Sequence, residues 1–205
     1  MPRIIDNIDI KLLPALRDTI QVAHRADFCV GYFNLRGWRE LAPLIEAWPG
    51  GDGRCCRLLV GMQAHPEEEM REALRLARDE EELDNQTAAR LKKKLAEEFR
   101  QQLVIGAPTN QDEAALRKLV AQIRAGQLVV KLFLQRLHAK LYLLYRNDPI
   151  NPIIGYVGSS NLTFAGLASQ GELNVDVLDY DASCKLSRWF EDRWNDRWCL
   201  DITDA

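Results

Sequence analysis

The chain lacks the residues for several common kinds of chemistry. It has only 3 histidines in 205 residues. None stands with cysteine or carboxylate partners at metal-ligand spacing, so no metal centre is expected. Its 5 cysteines, Cys29, Cys55, Cys56, Cys184 and Cys199, form no CxxC pair and are odd in number. Reduced thiols in a cytoplasmic protein are the expected state. No run of 18 apolar residues occurs, and the opening MPRIIDNIDIK has no apolar core, so neither a membrane span nor a secretory leader is expected. A Walker A motif is absent, which excludes a nucleotide-driven motor within this stretch. No internal repeat is visible, so any functional motif occurs once. An excess of positive charge is missing too: 27 Lys and Arg stand against 30 Asp and Glu, for a net charge of −3. Contact with nucleic acid would need a local basic patch.

What the sequence does have is enough apolar content, 47%, for one packed domain spanning 1–205. Helical stripes are expected over 11–24, from 41 to 48, over 112–125 and over 182–194. His24 would close the first of these, near the helix C-terminus. Short buried strands are expected at 26–33, 57–62, 128–134, 138–145, 153–157 and 172–179. Strand 128–134 should pair with 138–145 through a short turn at 135–137. Helix-forming, highly charged residues fill 66–104, which reads as an insertion on the core. Within it Arg90, Lys92, Lys93 and Lys94 form a basic turn, either a backbone contact for nucleic acid or a solvated face. His65, just ahead, reads as a surface or capping residue. The alternation of strands and helices predicts an α/β fold: a mixed sheet of six or seven strands sandwiched by helices.

The chemistry concentrates in 138–172. In HAKLYLLY a strand would turn His138, Lys140, Tyr142 and Leu144 to one face. An imidazole beside an ammonium is a candidate phosphate site. The next strand runs into Gly158-Ser159-Ser160-Asn161, where glycine permits close backbone approach and Ser159 and Asn161 offer hydrogen-bonding groups. Glu172 follows eleven residues after Asn161, at the start of a further strand. Arg36 and Trp38, in a loop entering the 41–48 helix, have two readings: phosphate clamp and base platform, or exposed arginine beside a core tryptophan. Each half of the 138–172 pattern also has a bland reading, as a structural histidine and as ordinary turn chemistry.

Order and context together resemble the phospholipase D superfamily, the HKD phosphodiesterases, especially the single-motif nuclease-like domains at the N-terminus of bacterial helicases and restriction enzymes. His138 and Lys140 match the first part of the motif, and Gly158, Ser159 and Asn161 the second. Tyr145 stands where the motif has Asp, a residue that serves the family mainly as structural support. The resemblance implies a metal-independent, cofactor-free phosphodiesterase working through a phosphohistidine. In it Lys140, Ser159 and Asn161 would hold substrate and Glu172 would orient His138; Arg36, outside the motif, is a further candidate substrate contact. It also implies a homodimer that completes the site from two half-sites, with nucleic acid as substrate and DNA ahead of RNA. A helicase or ATPase domain in a longer parent chain is a further implied partner, and no membrane is involved. A degenerate dimer that only binds nucleic acid or assembles a complex is the alternative, and a phospholipase ranks last.

Overall fold

The computed structural model describes residues 2–61, 93–94, 96–97, 99–101, 103, 109–135 and 137–203. Its centre is set by apolar-rich runs, each interrupted by a charged residue (Arg25 and Asp27, Arg57, Lys131), which suit strands covered on both faces. Strands β2 (Ala23–Val30), β3 (Cys56–Gly61) and β4 (Leu128–Phe133) lie parallel and adjacent. On the other side of β2, strands β5 (Leu141–Arg146), β6 (Ile153–Gly158) and β7 (Asn174–Val177) continue antiparallel. Two very short strands close the edges, β1 (Ile4–Ile5) against β7 and β8 (Cys199–Asp201) against β4. The order is β1-β7-β6-β5-β2-β3-β4-β8. The expected mixed sheet is therefore present, with eight strands among the described residues. The two extra ones are edge pairings of two and three residues, too short to show alternation in sequence.

Helices cover both faces. One carries α1 (Leu12–Gln21), α2 (Leu35–Arg39), α3 (Ala42–Ile45) and α4 (Asn110–Arg124), whose buried side chains share a core with Phe28, Val30, Leu58, Val60, Tyr142 and Leu144. The other carries α5 (Tyr180–Trp194), whose Phe190 and Trp194 pack on Cys29, Leu59, Leu141 and Leu143. Successive residues of β5 thus enter opposite cores, as strand alternation requires. Asp27, fully buried, binds Arg25 and Arg57, and both arginines reach Glu191 of α5. A buried carboxylate gripped by two guanidinium groups offsets its desolvation and fixes α5 across the sheet.

Several expectations are corrected. The first helix stops at Gln21, and His24 lies in β2 at a register irregularity. Arg36 and Trp38 sit on α2, started by the Asn34 side chain accepting from Gly37 N at 2.9 Å, and not in a loop. β4 and β5 do not form a hairpin, because β3 and β2 lie between them. The connecting segment instead crosses the ends of those strands. A Cβ on Gly61 would come within 2.6 Å of Leu137 O, and one on Gly31 within 3.4 Å of the same atom. β5 accordingly begins at Leu141, with His138 and Lys140 in the extended run before it. His65, Arg90, Lys92 and most of the expected insertion lie outside the described residues; Phe99 and Leu103 join the larger core.

Candidate active site

The register gathers the motif at one end of the sheet. Cys29 pairs with Leu141, Leu141 with Val157 and Gly158 with Asn174. The C-terminal ends of β2, β3 and β6 therefore meet the starts of β5 and β7. All three of the former end in Val-Gly: Val30-Gly31, Val60-Gly61 and Val157-Gly158. Side chains there would fill space the chain itself occupies. A Cβ on Gly158 would collide with Leu173 O and Asn174.

His138 is exposed and Lys140 is buried, 5% exposed. Lys140 Nζ stands 3.1 Å from His138 Nδ1 and donates to His138 O at 2.9 Å. Burial pushes the Lys140 ammonium below the ordinary lysine value, while nearby Glu172 and Cys29 act in the opposite direction. Asn161 has a fixed orientation: its Oδ1 accepts from Tyr32 N at 2.9 Å. Its Nδ2 is thereby the group left to donate. A methyl built on Gly31 would lie 3.5 Å from Asn161 Oδ1 and 3.6 Å from Lys140 Nζ, so the amide and the ammonium surround one point.

Ser159 Oγ donates to the Glu172 carboxylate and accepts from Leu173 N at 3.0 Å. Glu172 stands two residues ahead of β7, and its carboxylate is bonded to Ser159 and not to His138. Neighbouring Ser160 is wholly buried, with Asn174 Nδ2 donating to its Oγ at 2.8 Å and Tyr142 OH to its carbonyl at 2.9 Å. The loop's backbone is thus held from below while Ser159 and Asn161 face outward.

Arg36 joins this group. A cleft of about 450 Å³ is lined by Arg36, Asn161 and Glu172 together with Tyr32, Asn34 and Phe164. Arg36 Nε contacts Asp112 at 3.5 Å. Trp38 does not: it is fully buried and donates Nε1–H to Gln122 at 2.9 Å, a core role. Tyr145 lies outside the site altogether. It pairs with Arg25 and Ile153 at the far end of β5, its ring under the Arg25 guanidinium at 4.4 Å and its OH 2.9 Å from Ser187 Oγ. Burial pushes the Cys29 thiol up to about 12, which marks it as inert. All five cysteines are free. The residues that sequence reasoning missed, Gly31, Gly61, Tyr32, Asp112 and Phe164, left one readable trace, the recurrent Val-Gly at strand ends.

A mixed sheet between helices, with a His-x-Lys segment and a Gly-Ser-x-Asn loop meeting at one end, defines a phospholipase D-like domain. The chain belongs to that family: residues 16–194 match the family described as "Cardiolipin synthase, PLD-like domain". A search of curated proteins finds no match. Among solved structures, NucT from Helicobacter pylori aligns with TM-score 0.54 at 10% identity over 98% of each chain. Nuc from Salmonella typhimurium, a phospholipase D family member, aligns with TM-score 0.53 at 10% identity over 98% of this chain and 97% of its own. Phosphatidylserine synthase from Haemophilus influenzae Rd KW20 aligns with TM-score 0.53 at 16% identity over 98% of this chain and 39% of its own. These three likenesses are of fold. Among the described residues no helix is long and apolar enough to cross a membrane.

Proposed function

We propose that the chain is a phosphodiesterase of nuclease type that uses His138 as nucleophile, needs no metal, and completes its site with a second copy of itself. The observation that carries this reading is the convergence of Lys140 Nζ, the His138 ring and the Asn161 amide at one sheet end, with Asn161 Oδ1 already occupied by Tyr32 N. An ammonium and an outward amide N–H are suited to two non-bridging phosphate oxygens, where they would stabilise the charge that develops during displacement. His138 Nε2 would attack phosphorus and the bridging P–O bond to the leaving group would break. The His138 of the second copy would give its proton to that oxygen, then take a proton from water as water displaces the phosphohistidine. Attack needs Nε2 unprotonated, so the ring proton must sit on Nδ1, where an acceptor holds it. Glu172 is the carboxylate at hand; it would exchange Ser159 for His138 as substrate draws Lys140 Nζ away from Nδ1.

The family resemblance and the fold shared with NucT and Nuc support nucleic acid as substrate. The association with a helicase or ATPase domain belongs to the same reading and would show as a motor sequence continuous with this chain in its parent protein. The deciding experiment is cleavage of labelled single- and double-stranded DNA and RNA, with and without EDTA, by wild type and by His138→Ala. Cleavage that survives chelation and vanishes in the variant is expected. Wild-type rates in His138→Ala, or complete loss on chelation, would sink the mechanism. Binding without cleavage would identify a degenerate module instead.

A further inference from the structure

Resting on that phosphodiesterase reading, we propose that the cleft beside Asn161 is a subsite for one unpaired nucleotide adjoining the scissile phosphate. Phe164 would be the stacking platform for its base and Arg36 the contact for its outer phosphate, which makes single-stranded nucleic acid the preferred substrate.

The first argument is continuity. Asn161 belongs both to the convergence point over Gly31 and to the lining of the cleft. Whatever enters the cleft from a bound phosphodiester is therefore the group bonded next to it. The cleft's volume, about 450 Å³, lies in the range of sites that enclose a small organic ligand.

The second is the character of its walls. Phe164 is 42% exposed and lines the cleft beside Asn161. It stands at the entry to a π-helical turn, Ala165–Ser169, of a kind that recurs at functional sites. That turn is held close to Asn161: Thr163 Oγ1 accepts from Gly166 N at 2.9 Å, and a Cβ on Gly166 would lie 2.6 Å from Asn161 O. Phe164 thus lies on a turn held beside the motif amide, where its ring could take the face of any base.

The third is charge. Segment 32–37 is zipped to 161–163, with Leu162 N donating to Tyr32 O and Asn34 N to Leu162 O, both at 3.2 Å. A Cβ on Gly37 would meet Leu162 O at 2.5 Å, so α2 packs backbone to backbone and keeps Arg36 over the cleft. Among the described residues Asp112 takes only Nε of Arg36, which leaves the two terminal amino groups for a phosphate. Of the cleft's two carboxylates, Asp112 is paired with Arg36, and Glu172, bonded to Ser159, has the Lys140 ammonium as its nearby counter-charge. A base stacked in a duplex cannot turn its face to a side chain within a cleft; it must first leave the stack. A diacyl lipid would need long apolar walls where this cleft has Asn34, Arg36 and Gln170.

The test separates this subsite from the chemistry. Binding is measured by fluorescence anisotropy on the uncleaving His138→Ala protein, with a labelled single-stranded 15-mer, its duplex, and phosphatidylglycerol vesicles. Single-strand binding is expected to exceed duplex binding and to weaken about ten-fold when Phe164→Ala is added, with Phe164→Tyr restoring it. Arg36→Gln should weaken it and flatten its salt dependence. Melting by circular dichroism confirms folding, and Phe164→Leu, which keeps apolar bulk but removes the aromatic face, reports the ring if the Ala variant unfolds. Unchanged single-strand affinity in both Phe164→Ala and Arg36→Gln, a preference for duplex, or loss confined to vesicle binding would overturn the subsite. Hydrolysis of methyl p-nitrophenyl phosphate by wild type, lost in His138→Ala, reports the phosphodiesterase reading independently.

Discussion

At the scale of single residues, Lys140 shows how position sets chemistry. It is buried, so its charged form is disfavoured, and Glu172 works against that loss. If the reaction needs Lys140 charged, activity falls as pH rises through its pKa, which lies below the ordinary lysine value of about 10.4. Removing the Glu172 charge lowers that pKa further. Glu172→Gln is therefore expected to shift the alkaline limb of the pH–rate profile to lower pH, besides reducing the rate. Lys140→Ala and Asn161→Ala should each cost about 100-fold or more in kcat with the fold intact, read by steady-state kinetics. Tyr145 gives the contrasting case. It departs from the family motif, yet it sits under Arg25 against α5, away from Lys140. Restoring the motif with Tyr145→Asp should leave kcat per folded molecule unchanged. It should cost about 2–3 kcal/mol of stability by denaturant titration, because a packed ring is lost and a carboxylate comes close to Asp27.

At the scale of elements, the decisive piece is the crossing between β4 and β5. It carries His138 over the ends of β3 and β2, and glycine at 61 makes the passage possible. Gly61→Ala places a methyl against Leu137 O, and backbone must move to accept it. The movement falls on the segment bearing His138 and Lys140. A loss of about ten-fold or more in kcat per folded molecule, accompanied by a lower melting temperature, is expected, since misplacing reacting groups by about an ångström is costly and the clash is with backbone at the half-buried Leu137. A large fall in melting temperature with kcat preserved would show that the crossing is only structural. On the opposite core, the grip of Arg25 and Arg57 on Asp27 and Glu191 anchors α5, and burial of Phe190 and Trp194 adds the apolar part.

At the scale of the whole molecule, one motif gives one nucleophile, and the proposed reaction uses two histidines. In that proposal a two-fold pairing of copies near His138, Lys140 and Asn161 would supply the second. Sedimentation should show a dimer under assay conditions. An equal mixture of wild type and His138→Ala, refolded together, should retain about one quarter of the activity if each dimer needs both histidines, and about one half if the sites act alone. A strict monomer that cleaves at full rate would contradict the shared site.

The sequence by itself determined the apolar runs that become β2 to β6, the helix stripes over α1, α4 and α5, and the chemical set His138, Lys140, Ser159, Asn161 and Glu172. Periodicity and residue type are local properties, so these were legible without neighbours. Edge strands of two and three residues carry too little pattern to read, and the Asn34 cap that starts α2 was visible only once its partner Gly37 was placed. Only the tertiary structure decided that β4 and β5 are separated by β3 and β2, since strand order is a matter of packing between distant segments. It alone brought Arg36 to the cleft and sent Trp38 into the core, although they stand only two positions apart on α2, because successive helix positions point in different directions. It alone put Tyr145 beyond reach of the His138 and Lys140 pair, because a strand separates its two ends in space and its two faces by alternation.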